Sequence, residues 1–213
     1  SALTDYTKAK TCADTNTLIA DGTWSVAAAT LDTALTAKVR LTGDLTVISI
    51  TNEAAALTDY TTAKTGATTN TLTADGNWSV AATELTTALG AGVRLVGDLT
   101  VTSISTEANA SSTYSTTNTG ATNVLLTADD GNWSVATGAL NTDLGNNIKY
   151  AGALTVTGIA NGNETAALTA YTTAQTGAGT NTLTASDTRW SVAASSLDTA
   201  LEAGVLLAGD LTV

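Results

Sequence analysis

The chain has no histidine and only one cysteine, Cys12. Nucleophilic catalysis usually needs an activating base such as histidine, and zinc sites are built mainly from histidine and cysteine. Carboxylates remain, but Asp21, Asp75 and Asp187 recur at equivalent positions, each shortly before a tryptophan. Equivalent carboxylates do not divide acid and base roles, which require different environments. We therefore expect no enzyme: no catalytic residue, no cofactor and no metal site.

The aspartates are better explained as turn residues. Asp21-Gly22, Asp75-Gly76 and Asp130-Gly131 are typical turn pairs. Repeated calcium ligation is the alternative interpretation, but the chain lacks both the glycine-rich nonapeptide and the twelve-residue EF-hand loop.

The lone cysteine cannot form a disulfide within the chain. Cys12 occupies the position that Gly66, Gly120 and Gly177 hold in later, similar segments. We interpret it as a substitution in one copy of a repeated pattern, with a disulfide between two chains as the alternative.

Lysine and arginine are scarce, 8 against 19 aspartates and glutamates, so the formal net charge is −11. Nucleic acids and anionic membranes are bound by clustered basic side chains, and we expect neither as a partner. No apolar stretch is long enough to span a bilayer as a helix. The acidic composition is typical of a self-repelling protein surface.

The sequence contains a repeat of 54 to 57 residues, marked by tryptophan, tyrosine and glycine at fixed positions. Self-similarity at such a period is typical of arrays in which each unit buries its apolar face on its neighbours. We divide the chain into repeats 1–54, 55–108, 109–165 and 166–213, predicted to form one continuous array. The recurring aromatic residues are Trp24, Trp78, Trp133 and Trp190, and Tyr6, Tyr60, Tyr114 and Tyr171.

Each repeat divides into two similar halves that combine helical and strand periodicity. Leu85 and Leu89 form an i,i+4 pair among small residues and predict a short helix; Leu57 and Tyr60 form an i,i+3 pair on the alternate helix. Residues 93–104 then alternate apolar and polar side chains, which predicts a strand, and the glycine within it predicts a bend that shifts the register.

Short helices alternating with strands favour an α/β fold with parallel strands. We predict a tandem-repeat solenoid of short helices and parallel strands. The alternatives are an all-β repeat array, made of small sandwiches or a β-solenoid, and a closed barrel.

The recurring tryptophans and tyrosines are predicted to pack between repeats. The alternative is an exposed aromatic row that stacks on sugar rings. The many threonines are interpreted as ordinary strand surface, with ice or polysaccharide binding as the alternative. Four N-x-S/T motifs are candidate glycan acceptors: Asn77, Asn109, Asn132 and Asn163.

The segment L-T-D-Y-T-T-A-K-T-G-A-T-T-N-T-L-T-A, residues 57–74, is followed by near copies along the chain. It resembles the tandem helix-strand repeats of very long secreted or surface proteins of cyanobacteria and other aquatic bacteria, in which L-x-x-L/I-x-x-x-x-T-G-x-V-T-A recurs. Those proteins are adhesin-like or matrix components. The resemblance implies an extracellular or cell-surface structural role.

The opening residues 2–6 match residues 56–60, and Gly209 to Val213 match the start of a strand in the earlier repeats. The repeat is thus cut in mid-phase, which predicts either head-to-tail association of copies or a window on a longer array. We expect an extracellular structural protein, a subunit or segment of a self-associating filament, sheath or stalk. The alternative is an adhesin-like module that binds glycan, ice or a surface.

Overall fold

The computed structural model describes residues 2–213, which form two compact units. The first unit contains the residues up to Thr100 together with Thr117–Thr122. The second contains Val101–Thr116 and Asn123–Val213.

Short helices and strands alternate throughout. In the first two repeats they are α1 (Ala2–Asp5), α2 (Lys8–Thr11), β1 (Asn16–Ile19), β2 (Trp24–Ala27), α3 (Ala28–Thr36), β3 (Val39–Thr42), β4 (Asp44–Ile50), α4 (Glu53–Asp59), α5 (Thr62–Thr65), β5 (Thr69–Ala74), β6 (Trp78–Ala81), α6 (Ala82–Gly90), β7 (Val93–Val96) and β8 (Asp98–Ile104). In the last two they are α7 (Ala110–Thr113), α8 (Thr116–Thr119), β9 (Asn123–Ala136), α9 (Thr137–Gly145), β10 (Ile148–Ile159), α10 (Glu164–Ala170), α11 (Thr173–Thr176), β11 (Thr180–Ser191), α12 (Ala194–Glu202) and β12 (Val205–Thr212).

A nine-residue helix opens the second half of every repeat: α3, α6, α9 and α12. Leu31 and Leu85 on the first two are fully buried, as the i,i+4 leucine pairs predicted. A residue with positive φ follows each helix within two positions and turns the chain into the next strand. These residues are Lys38, Gly92, Asn147 and Gly204.

The first half of each repeat contains two short helices: the helix predicted from Leu57 and Tyr60 is confirmed at Leu57, in α4, but it does not include Tyr60, and a second helix follows it. Helix α4 ends before Tyr60, and Thr61 is extended, with φ −64° and ψ 156°, before α5 begins. The break leaves the Tyr60 carbonyl free of the helix, where a buried side chain binds it as described below.

The first unit contains the parallel sheet β2-β4-β5-β7 and the parallel pair β1-β3. Strands β2 and β4 belong to the first repeat, whereas β5 and β7 belong to the second. In the register of β4 against β5, Leu45 lies opposite Asn70 and Val47 opposite Leu72. One four-stranded sheet is therefore shared by two repeats.

The second unit contains the parallel strands β12-β11-β10-β9, in that order. Strand β10 of the third repeat pairs with β11 of the fourth, with Leu154 opposite Asn181 and Val156 opposite Leu183. These residues are the counterparts of those that join the first two repeats, so the same register is used again.

The structure is thus a mixed α/β fold with parallel strands, and the all-β alternative is wrong. Its error lies in the segments that carry the leucine pairs, which form helices rather than loops and bury the first leucine of the pair, Leu31 or Leu85. Within residues 2–213 the sheets stay open and no barrel closes, which excludes the closed alternative. The register shift predicted at glycine is confirmed at Gly152, because the pairing of β9 with β10 shifts between Ala151 and Ala153.

Candidate functional site: the contacts between repeats

Each tryptophan binds a backbone carbonyl 18 residues further along its own repeat. The indole Nε1 donates to the carbonyl of Thr42, Val96, Ala151 or Ala208, at 3.1, 3.0, 3.1 and 2.9 Å. In every case the accepting residue precedes a glycine with φ between 100° and 116°. Because that glycine bends the strand, the carbonyl leaves the ladder and needs another donor. The indole N–H supplies it.

The tryptophans are also core residues. Trp78, Trp133 and Trp190 are at most 3% exposed, and Trp24 is half-buried. The three fully buried rings present no face on which a sugar could stack. Trp133 contacts the ring of Tyr150 edge-on, with centroids 4.8 Å apart and an interplanar angle of 63°.

The recurring tyrosines reach into the preceding repeat. The Tyr60 hydroxyl donates to the Asp32 carboxylate at 2.7 Å, and the Tyr171 hydroxyl donates to the Asn141 side chain at 2.9 Å. Asp32 and Asn141 occupy the same position, just after the first buried leucine of a nine-residue helix. Burial, followed by the hydrogen bond to Asp32, raises the pKa of Tyr60, so the hydroxyl keeps the proton that it donates.

Tyr114 is buried as well, whereas Tyr6 of the first repeat is 53% exposed. The structure thus places three of the four predicted packing tyrosines inside the protein and one on its surface.

A buried asparagine that the sequence analysis did not single out holds the two short helices together. Asn70 has no exposed surface; its side-chain amide donates to the Tyr60 carbonyl and to the Thr65 hydroxyl, the latter at 3.0 Å. Asn181 makes the equivalent bonds to Tyr171 and Thr176 in the fourth repeat.

The signal for this cluster is the recurrence of threonine five residues before asparagine. Thr11 and Asn16 form the same bonds in the first repeat, where Asn16 is only half-buried. The third repeat has Val124 in place of the asparagine. The recurrence was visible in the sequence, but nothing there indicated which backbone group the amide would bind.

A backbone hydrogen bond also crosses from one repeat to the previous one. The N–H of Thr68 donates to the carbonyl of Gly43 at 2.7 Å, and the N–H of Gly179 donates to the carbonyl of Gly152 at 2.6 Å. Both acceptors are the glycines at the strand bends. The strain-prone backbone of each bend is therefore fixed from two sides, by the indole of its own repeat and by the N–H of the next.

The glycines before these donors fit closely against the previous repeat. A Cβ atom on Gly66 would lie 3.0 Å from the Cβ of Arg40, and one on Gly177 would lie 2.9 Å from the Cβ of Lys149. Both have positive φ. Cys12 adopts the same left-handed conformation in the first repeat, with φ 58°, and is exposed.

The third repeat departs from the pattern with a buried polar pair. Asp143 and Tyr150 stand where the other repeats have alanine and leucine, for example Ala88 and Leu95. The Tyr150 hydroxyl donates to the Asp143 carboxylate, and both residues are buried. Burial and then this hydrogen bond raise the pKa of Tyr150 well above its ordinary value. The pair lines an open cleft of about 430 Å³, together with Glu107 and Ser111.

The four candidate glycan acceptors, Asn77, Asn109, Asn132 and Asn163, are all exposed. The amide of Asn132 donates to the Asp130 carbonyl at 2.9 Å within a tight turn. Among residues 2–213, no three histidine, cysteine, aspartate or glutamate side chains cluster as metal ligands. No helix in that range is both long and apolar enough to cross a membrane.

Comparison with protein-family models, with curated proteins and with solved structures found no match for the chain. The recurring contacts between repeats are the structural feature that bears most directly on function.

Proposed function

We propose that the protein is an extracellular, non-enzymatic structural protein, a subunit or segment of a self-associating filament, sheath or stalk. In this proposal its four repeats form one continuous solenoid of short helices and parallel strands. The function of such an array is mechanical: each repeat buries its apolar face on the next, and the array extends by adding repeats.

The observation that carries the proposal is the identity of two junctions in different units. The first and second repeats are joined by Tyr60 on Asp32 and by a shared parallel sheet. The third and fourth are joined by Tyr171 on Asn141 and by strands in the same register. Because the same contact joins repeats one and two and repeats three and four, it is a contact through which further repeats could be added.

The chemistry of the junction supports permanence rather than exchange. Fully buried leucine and valine side chains on the paired strands combine with the tyrosine hydrogen bond and with the backbone N–H bond to the bend glycine, so each junction joins apolar burial to satisfied polar groups. The extracellular location rests on the resemblance to secreted and surface repeat proteins.

The adhesin-like alternative draws less support from the structure. Stacking on sugar rings needs exposed aromatic faces, and three of the four tryptophan indoles, those of Trp78, Trp133 and Trp190, are buried. We therefore put the structural role forward alone.

Negative-stain electron microscopy of the purified chain over a hundredfold dilution series tests the proposal. We expect elongated particles of variable length that shorten on dilution. Discrete particles of one size at every concentration would overturn it. A glycan array probed with the same material checks the alternative, and no binding is expected.

A further inference from the structure

At three positions the third repeat departs from the residues that the other repeats share, and all three positions line one cleft. The residues are Ser111, Asp143 and Tyr150, and the cleft is the open one of about 430 Å³ in the second unit. In the other repeats these positions hold leucine, alanine and leucine, for example Leu57, Ala88 and Leu95. Departures from a repeated pattern that converge on one place in a fold are expected at a functional site.

Ser111 is the change that opens the cleft. Its counterparts Leu57 and Leu168 are only 2% exposed, and the helix of Leu57, α4, packs on α6 and β6 of its own repeat. A serine in place of such a leucine leaves space that the leucine side chain would fill. The effect is visible at Val135 in the wall of the cleft, which is half-buried, whereas its counterpart Val80 is 2% exposed.

Asp143 adds a carboxylate where packing requires none. It is 7% exposed and lies in the last turn of α9, where the helix dipole carries negative partial charge. Burial and the dipole both destabilise a carboxylate, and the alanine of the other repeats avoids both costs. Packing alone therefore does not account for the carboxylate.

We propose that this cleft binds a small organic cation that carries a primary ammonium group. The described residues that line the cleft include two carboxylates, those of Glu107 and Asp143, and no lysine or arginine. An ammonium group has three N–H donors and no acceptor, so it complements carboxylate and hydroxyl oxygens. The Tyr150 hydroxyl uses one of about four acceptor positions of the Asp143 carboxylate, which can therefore accept further hydrogen bonds.

The rest of the lining favours an organic cation over a metal ion. Trp133, Val135 and Ala139 contribute aromatic and apolar surface, which suits a short alkyl body. Calcium takes about six to eight oxygen ligands, whereas no three acidic, histidine or cysteine side chains of residues 2–213 cluster as ligands. The volume lies within the range of about 300–1,000 Å³ that is typical of small-molecule sites.

Ligand-observed saturation-transfer NMR with n-butylamine tests the proposal, because it detects binding to single and to assembled chains alike. Two probes of similar size, n-butanol and butyrate, replace the ammonium group with a neutral hydroxyl and with a carboxylate. We expect saturable binding of butylamine with a dissociation constant of about 1 mM, and binding of the other two that is about tenfold weaker or undetectable.

Four variants locate the binding. Ser111→Leu restores the residue of the other repeats and should close the cleft, so that butylamine binding is lost while the fold is kept. Asp143→Asn and Glu107→Gln each remove a charge with little change of shape and should weaken binding about tenfold. Glu107→Gln, at a half-buried site, keeps the test decisive if Asp143→Asn does not fold. The matched control Glu164→Gln removes the equivalent charge of the fourth repeat and should leave binding unchanged.

Three results would overturn the proposal. Equal binding of butylamine by the wild-type and Ser111→Leu chains would mean that the amine binds the acidic surface in general. Displacement of butylamine by an equal concentration of calcium chloride would assign the cleft to a metal ion. Binding of N-acetyl-lysine methylamide about tenfold tighter than butylamine would assign it to a lysine side chain of a protein partner. The filament proposal does not depend on any of them, because particle length tests it separately.

Discussion

Replacing Asn70, the buried asparagine of the second repeat, should destabilise the protein, and the same replacement at the half-buried Asn16 of the first repeat provides the comparison. In Asn70→Val the Tyr60 carbonyl loses its side-chain donor and the Thr65 hydroxyl loses one partner. The Tyr60 carbonyl left without its hydrogen bond costs about 1–3 kcal/mol, the lost partner of the Thr65 hydroxyl costs about 1 kcal/mol more, and the larger apolar surface of valine offsets about 1 kcal/mol. We expect a net loss of about 2 kcal/mol in the free energy of unfolding.

The matched control is Asn16→Val in the first repeat. Asn16 makes the same bonds to Tyr6 and Thr11, but these groups are partly exposed and water can replace the amide. Its loss should stay below about 1 kcal/mol. Urea denaturation, monitored by tryptophan fluorescence, measures the free energy of unfolding of both variants. The two values can be compared if the slope of that free energy against urea concentration is unchanged. Equal losses for the two variants, or a stabilised Asn70→Val, would refute the reasoning.

Three further predictions concern the bend, the polar pair and pH. Gly152→Ala should unfold at a markedly lower temperature than Gly43→Ala. Both glycines have φ near 100°, but only a Cβ on Gly152 would lie 2.3 Å from a backbone oxygen, that of Gly131. Equal melting temperatures for the two variants would contradict this. The double variant Asp143→Ala, Tyr150→Leu restores the alanine and leucine of the other repeats. Its loss in the free energy of unfolding should be smaller than the sum of the losses of the two single variants, which a double-mutant cycle measures. Because the pKa values of Tyr60 and Tyr150 are raised in the folded protein, the unfolded chain ionises first, and stability should fall as pH rises above about 10; a flat profile to pH 11 would oppose it.

Much of the local structure could be predicted from short-range periodicity. The leucine pairs predicted the nine-residue helices, and the glycine within each alternating segment predicted a bend. These features depend on residues a few positions apart, where helix and strand spacing differ clearly. The break between α4 and α5 was missed because it depends on Asn70, which binds a carbonyl ten residues earlier.

The sharing of one sheet by two repeats could not be read from the sequence. The repeat period divides the chain at residue 54, but the strand register crosses that boundary, placing Leu45 opposite Asn70. Register between strands depends on long-range packing, which a repeat period does not specify. The Asp143 and Tyr150 pair was visible as a paired departure from alanine and leucine, and only the structure brought the two side chains together.

The most direct measurement of the central claim is sedimentation velocity of the chain over a hundredfold concentration range. A self-associating filament subunit predicts a sedimentation coefficient that rises continuously with concentration. A single species of 21.2 kDa at every concentration would contradict the account.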